Sequence, residues 1–506
     1  MRTETTRMDD VGLHSAGERL NRLGLYAVVG GGLVVVVLAV LSLLLHGGEG
    51  HPEQYGAPPM WWLGSLPFVG MLGCIAVLPL VRATHHWWES NLNRLGVAAV
   101  VAALTVIYYV IARGLGSVAT VLEHAILAEY IPFIVLLFCL YVISGGISLS
   151  GDLAARPATN VAFLAVGALI ASFVGTTGAS MLLIRPLLQT NSERRYIVHT
   201  VVFFIFLVSN VGGCLLPIGD PPLFLGYLRG VPFIWTMGLW GPWLFCCVVL
   251  LGTYYVWDTI AYKRESAADI RRDETERQPL RLRGVSNILL LGGIVACVAL
   301  VDPKRPLPFT DFTPFSFMRE LLMLSLVWLS LRLTPKGIRE YNQFNYRAIL
   351  EVAALFIGIF IAMQVPIEYL NARGADLGVD TPWKFFWATG SLSSVLDNAP
   401  TYVVFFETAR AMPAEAGAAL VSLGKDGEDG VIADAFLVAI SLGAVFMGAM
   451  TYIGNGPNFM VKSIAEQSNV KMPSFFGFVF KYSIPVLVPI FLLVTLLFLL
   501  EDSPWK

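Results

Sequence analysis

The chain has 506 residues, of which 56% are hydrophobic and only 14% charged, with a formal net charge of −2. Soluble domains carry about a quarter charged residues, so the composition excludes them. The near-neutral balance says nothing about nucleic acid, but no basic patch or aromatic-basic interleaving is present, so no nucleic-acid partner is expected. The apolar residues gather in runs of about twenty, the length that crosses a bilayer core, so the lipid bilayer is the expected surrounding.

In chain order, residues 1–22 read as a cytoplasmic N-terminus and 23–61 as an extra first helix (about 23–46) with an outer loop. The first run is too long for the apolar part of a signal peptide, and no small-residue cleavage site follows it. Further crossings are expected near 62–82, 95–114, 127–149, 193–229, 232–257, 287–301, 316–333, 347–370, 430–467 and 474–500. Two more apolar stretches, about 159–190 and 380–411, are interrupted by Gly175-Thr176-Thr177-Gly178 and by Leu396-Asp397-Asn398-Ala399-Pro400. Such interruptions predict re-entrant hairpins. The positive-inside rule agrees: with the N-terminus inside and both stretches as hairpins, the loop carrying Lys263, Arg264, Arg271, Arg272, Arg277, Arg281 and Arg283 falls on the cytoplasmic side.

The chain also repeats itself. Val174 to Ser180 lies opposite Val395 to Thr401 without a gap, and Ile218-Gly219-Asp220-Pro221-Pro222 matches Ile453-Gly454-Asn455-Gly456-Pro457. The order of three helices, hairpin, broken helix and last helix occurs twice. Repeat one spans 62–257, with its hairpin at about 159–190 and its broken helix at about 193–229. Repeat two spans 287–500, with a hairpin at about 380–411 and a broken helix at about 430–467. Residues 258–286 form a cytoplasmic linker. Five crossings per half invert the second repeat relative to the first. The predicted fold is therefore an all-α polytopic membrane protein of about 11 transmembrane helices plus two re-entrant hairpins, in two inverted repeats, with the N-terminus cytoplasmic and a bacterial-type inner membrane as the location. Paired broken helices belong to secondary transporters and put the binding site where the breaks meet.

The breaks supply the candidate site. Asp220 and Asp397 are carboxylates at membrane depth, which normally mark an ion or proton path. Carboxylate oxygens suit a hard cation such as sodium, and each aspartate also suits a helix N-cap. Gly219, Gly454, Asn398, Thr176, Thr177, Ser180, Asn210, Thr401, Thr451, Asn455 and Asn458 are the expected polar and backbone neighbours, with interhelical hydrogen bonding as their other use. Arg185 is a candidate contact for a carboxylate substrate, or else a residue of the cytoplasmic surface. Glu407 stands one place off the equivalent position in the second hairpin, and Glu351 reads as interfacial. The pair His85-His86 beside Trp87-Trp88 reads as an interface belt. The six cysteines, Cys74, Cys139, Cys214, Cys246, Cys247 and Cys297, all lie in apolar runs, and no disulfide is expected. There is no G-x-S-x-G, phosphate loop or H-E-x-x-H, so neither an enzyme nor an ATP-driven pump is expected. An ion gradient remains as the energy source, with Na⁺ and H⁺ as transported or coupling ions and no other cofactor.

Ser209-Asn210-Val211-Gly212-Gly213, Ile218 to Pro222, Leu396 to Pro400 and Gly454 to Asn458 resemble the ion transporter superfamily over about 60–500. The branch they resemble most is the NhaD-type sodium/proton antiporters, with arsenite permeases, the melanosomal P protein and citrate transporters as relatives. The resemblance implies a scaffold part, a moving part that holds both hairpins and both broken helices, and a homodimer. In several relatives the first hairpin carries an Asp-Asn pair where this chain has Thr176-Thr177, and the paired Ser-Asn-Thr motifs of dicarboxylate transporters are absent. Sodium/proton antiport is the function expected first, and cation-coupled symport of citrate or another carboxylate is the alternative.

Overall fold

The computed structural model describes residues 56–500 except 80, 82, 276, 304, 305, 309, 414–416, 425 and 426. The expected cytoplasmic N-terminus and first helix at 23–46 lie outside the described residues. In chain order the helices begin with α1 (Trp61–Val77), α2 (Asn91–Arg113) and α3 (Leu115–Ser144). A short strand β1 (Ser148–Asp152) leads to α4 (Pro157–Val174) and α5 (Thr176–Thr190). Then come α6 (Val198–Leu207), α7 (Pro221–Leu228) and α8 (Trp240–Tyr262), followed by α9 (Ala267–Thr275) and β2 (Gln278–Arg283). The second half runs through α10 (Ser286–Leu300), α11 (Met318–Leu333), α12 (Arg347–Ala362), α13 (Gln364–Arg373), α14 (Pro382–Ser393) and α15 (Asn398–Arg410). A small hairpin, β3 (Leu420–Ser422) and β4 (Val431–Ala433), precedes α16 (Asp434–Met447), α17 (Gly456–Gln467) and α18 (Phe475–Leu499).

The protein is an all-α polytopic membrane protein. Five described helices are long and apolar enough to cross a bilayer, and α12 with α13, bent by 42°, makes a sixth. On α2 the side chains of Val100, Leu104, Ile107 and Ile111 are half or more exposed. Their spacing of three and four residues gives one apolar stripe, which in a membrane faces lipid.

The interrupted segments break at the residues that interrupt them. α4 turns into α5 at Gly175, and α14 into α15 across Ser394–Asp397. Pro221 and Pro222 begin α7 and Pro457 lies in the first turn of α17, where the missing N–H costs no hydrogen bond. Both upstream arms of the broken helices are innermost: His199 to Leu207 and Phe436 to Met447, apart from Val438, are buried. Helices apolar on all sides belong in the middle of a bundle, and this places the breaks at its centre.

The sequence carried no sign that the 258–286 segment pairs with another. β2 joins β1 as an antiparallel ladder, Ser148 opposite Arg283 and Leu149 opposite Leu282. Asp273 accepts the Ala155 N–H through both oxygens, at 3.0 and 3.1 Å, and Arg156 pairs with Glu274 at 2.7 Å. Burial pushes the Asp273 carboxyl above its usual range, against the pull of the Ala155 N–H. The linker is thus folded against the start of α4.

Candidate functional site

Each broken helix closes on itself through a pair of glycines. A Cβ on Gly219 would stand 2.3 Å from the Gly213 carbonyl oxygen, and one on Gly454 would stand 2.6 Å from that of Gly448. Ser172 of the first hairpin donates to the Gly212 carbonyl at 2.6 Å, and Ser393 of the second donates to the Ala444 carbonyl at 2.7 Å. The two serines occupy matching places in the two hairpins and tie each hairpin to a broken helix. Further ties run from the Thr176 N–H to the Gly219 carbonyl at 2.8 Å and from Thr451 Oγ1 to the Ser394 carbonyl at 2.5 Å.

Asp220 is the centre of what these ties bring together. It is 1% exposed. Its Oδ1 accepts from Thr176 Oγ1 at 2.9 Å and from Asn455 Nδ2 at 3.0 Å, and its Oδ2 accepts from Asn398 Nδ2 at 2.7 Å. Each partner stands at a helix start: Thr176 begins α5, Asn398 begins α15, and Asn455 and Asp220 itself occupy the positions just before α17 and α7. Four helix N-termini therefore meet at one buried carboxylate, and all three of its side-chain partners are neutral. A helix N-terminus carries about half a positive charge, so the site's own dipoles offset the aspartate.

A second layer braces the two halves. Asn455 Nδ2 also donates to the Ser209 carbonyl at 3.1 Å and to Asn210 Oδ1 at 3.3 Å. Asn210 Nδ2 donates to Asn458 Oδ1 at 2.7 Å, and Asn458 Nδ2 donates to the Gly448 and Thr451 carbonyls at 2.8 and 2.9 Å. Ser180 and Ser209 share a hydrogen bond of 2.9 Å. One atom is left over: the buried Asn398 Oδ1 has no hydrogen-bond partner. An acceptor without a donor beside a carboxylate is a ready ligand for a hard cation.

The other expected residues divide. Asp397 is a partly exposed N-cap, its Oδ1 accepting the Ala399 N–H at 3.0 Å, and Thr401 Oγ1 donates to the Asp397 carbonyl at 3.0 Å. Thr177 is half-buried beside Thr176. Arg185 reaches Gln343 Oε1 at 3.3 Å rather than any residue around Asp220, so the structure leaves it outside the cluster. A buried group absent from the sequence reading joins Glu407 to Arg229 and Glu129. Glu129 lies near the start of an apolar run, and nothing in the sequence links it to an arginine 100 residues on.

The sequence matches the model of the family described as "Putative citrate transport" over residues 57–499, which takes in every element of the site. No curated protein matches the chain. Multi-pass architecture and the match over nearly the whole described length make this a secondary transporter. The chain belongs to the "Putative citrate transport" family.

Proposed function

We propose that the chain carries out cation-coupled transport of a carboxylate of the citrate type, with Asp220 at the coupling-cation site. The observation that carries this reading is the meeting of four helix N-termini at one buried carboxylate with neutral partners only. Four half-charges sum to about +2, which Asp220 and the Asp397 cap of α15 together offset, so a bound cation would supply the positive charge that favours a carboxylate guest. A guest held this way needs no arginine, consistent with Arg185 lying elsewhere. The cation would take Asp220 oxygens and the free Asn398 Oδ1, both hard ligands suited to Na⁺ or replaced by a proton. Family membership supports citrate as the first substrate to test.

Sodium/proton antiport is the second reading. It is favoured by the two carboxylates at the breaks, Asp220 and Asp397, neither of which forms an ion pair with a basic side chain among the described contacts. Labelled citrate uptake into proteoliposomes under an imposed Na⁺ or proton gradient separates the two. Accumulation above the outside concentration supports symport. Sodium-driven proton movement that citrate leaves unchanged supports antiport and removes the carboxylate.

A further inference from the structure

Two half-helices that begin at the candidate site end at one guanidinium. Arg229 follows the last residue of α7, and Glu407 lies in the last turn of α15. Arg229 Nε donates to Glu407 Oε1 at 3.1 Å, Nη1 donates to the Leu225 carbonyl at 3.3 Å, and Nη2 donates to Glu129 Oε1. Glu129 comes from α3, within a π-helical turn at His124–Tyr130. Its Oε2 accepts from Gln364 Nε2 at 3.1 Å, and Gln364 opens α13 just past the 42° bend. Arg410 Nε stands 3.4 Å from Glu407 Oε2. Arg229, Glu129, Glu407 and Gln364 are all buried.

A buried ion group of this kind seldom adds net stability, because the desolvation of its members offsets their attraction. What it does supply is geometry. The planar guanidinium holds two carboxylates in fixed directions, which an ammonium on a flexible stem cannot do. Helices are stiff along their axes, and α7 is about 12 Å long at 1.5 Å per residue. A slip at the Arg229 end therefore arrives almost undiminished at Asp220. The same holds for α15, from Glu407 to Asn398.

We infer that Arg229, gripped by Glu129 and Glu407, is a positioning residue for the transport site: it fixes the axial register of α7 against α15 and of both against α3, and so holds Asp220 in contact with Asn398. This rests on the reading of Asp220 as the coupling-cation site. Glu129 belongs to a helix that contributes nothing to the Asp220 cluster, so it ties the site's helices to the surrounding bundle.

The test uses the full-length protein. Arg229→Lys keeps the charge and loses the two-carboxylate fork. Citrate uptake in proteoliposomes, titrated with Na⁺ and with pH, should need at least tenfold more cation for half-maximal rate, with the maximal rate within threefold of wild type. Hydrogen exchange without substrate should rise tenfold or more at the backbone amides of 223–224 and of 398, 399 and 401–402. Arg339→Lys removes a buried arginine held to Ser330 at 3.0 Å and should lower thermal stability without moving either readout. If Arg229→Lys does not fold, Glu129→Gln, which keeps the Arg229–Glu407 pair, should move both readouts in the same direction by about threefold. Wild-type cation dependence and exchange in a folded Arg229→Lys, or in Glu129→Gln, overturn the inference. A wild type with no citrate flux under any gradient removes the proposed function, while the exchange measurement still decides whether Arg229 sets the register.

Discussion

Asn398 donates to Asp220 at 2.7 Å across 178 residues of chain, one broken segment of the first half answering one of the second. This bond makes the candidate site a property of both halves together. Neither α7 nor α15 alone satisfies the carboxylate, and relative movement of the halves would change its partners.

Asp220→Asn gives the first prediction. The buried carboxylate has only neutral donors around it, so removing its charge also removes a desolvation cost. We expect a folded protein with thermal stability equal to or above wild type and cation-coupled flux reduced at least a hundredfold. Stability measured alongside flux separates this from a folding defect. A variant both unstable and inactive would mean that Asp220 is needed for structure.

Asp397→Asn is the companion. Asparagine caps helix starts about as well as aspartate, so α15 should keep its first turn and the melting temperature should stay within about 2 °C. If Asp397 contributes charge to the cation path, the sodium or proton dependence of uptake should weaken about tenfold. Unchanged dependence would leave it as a cap and nothing more. Asp397→Ala should lose about 1 kcal/mol of stability with the cap bond to Ala399.

The glycine pairs make a steric prediction. Gly219→Ala and Gly454→Ala drive a methyl to 2.3 and 2.6 Å from backbone oxygens, which only movement of the broken helix relieves. Each should destabilise by about 2–3 kcal/mol, read as a fall in melting temperature, and should impair flux. Gly456→Ala meets nothing within 4 Å and should be tolerated.

The folded linker predicts protease sensitivity. Asp273→Ala removes the acceptor for the Ala155 N–H and should raise the rate of tryptic cleavage near Arg271 and Arg277 several-fold. Arg156→Ala breaks only an exposed pair with Glu274 and should change that rate little.

The central part of the site was legible in the sequence because its residues are also helix breakers. Asp220, Asn398, Asn455 and Thr176 lie within or beside Gly and Pro motifs that stand out in apolar runs, and the motifs recur in matching order. The meeting of these residues at hydrogen-bond distance follows from the burial of both broken helices. Arg185 carries two readings in the sequence, a substrate contact or a residue of the cytoplasmic surface, because a charge in an apolar segment signals cost but gives no direction; here it turns to Gln343. Arg229 and Glu129 sit near segment ends, where single charges ordinarily meet water, and only the fold makes them partners. The β1–β2 ladder joins strands about 130 residues apart, and register over such a distance leaves no local trace. Asp397 bears out the capping use that its residue type allows, while its charge has no geometric partner to define it.

The most direct test of the account is labelled citrate accumulation in proteoliposomes of wild type and Asp220→Asn, with Na⁺ and proton gradients imposed separately. The account predicts accumulation above the outside concentration in wild type under one of these gradients, and loss of that coupling in folded Asp220→Asn. Gradient-driven accumulation that persists in Asp220→Asn would contradict the placement of the coupling cation, and no accumulation in wild type under either gradient would contradict carboxylate symport.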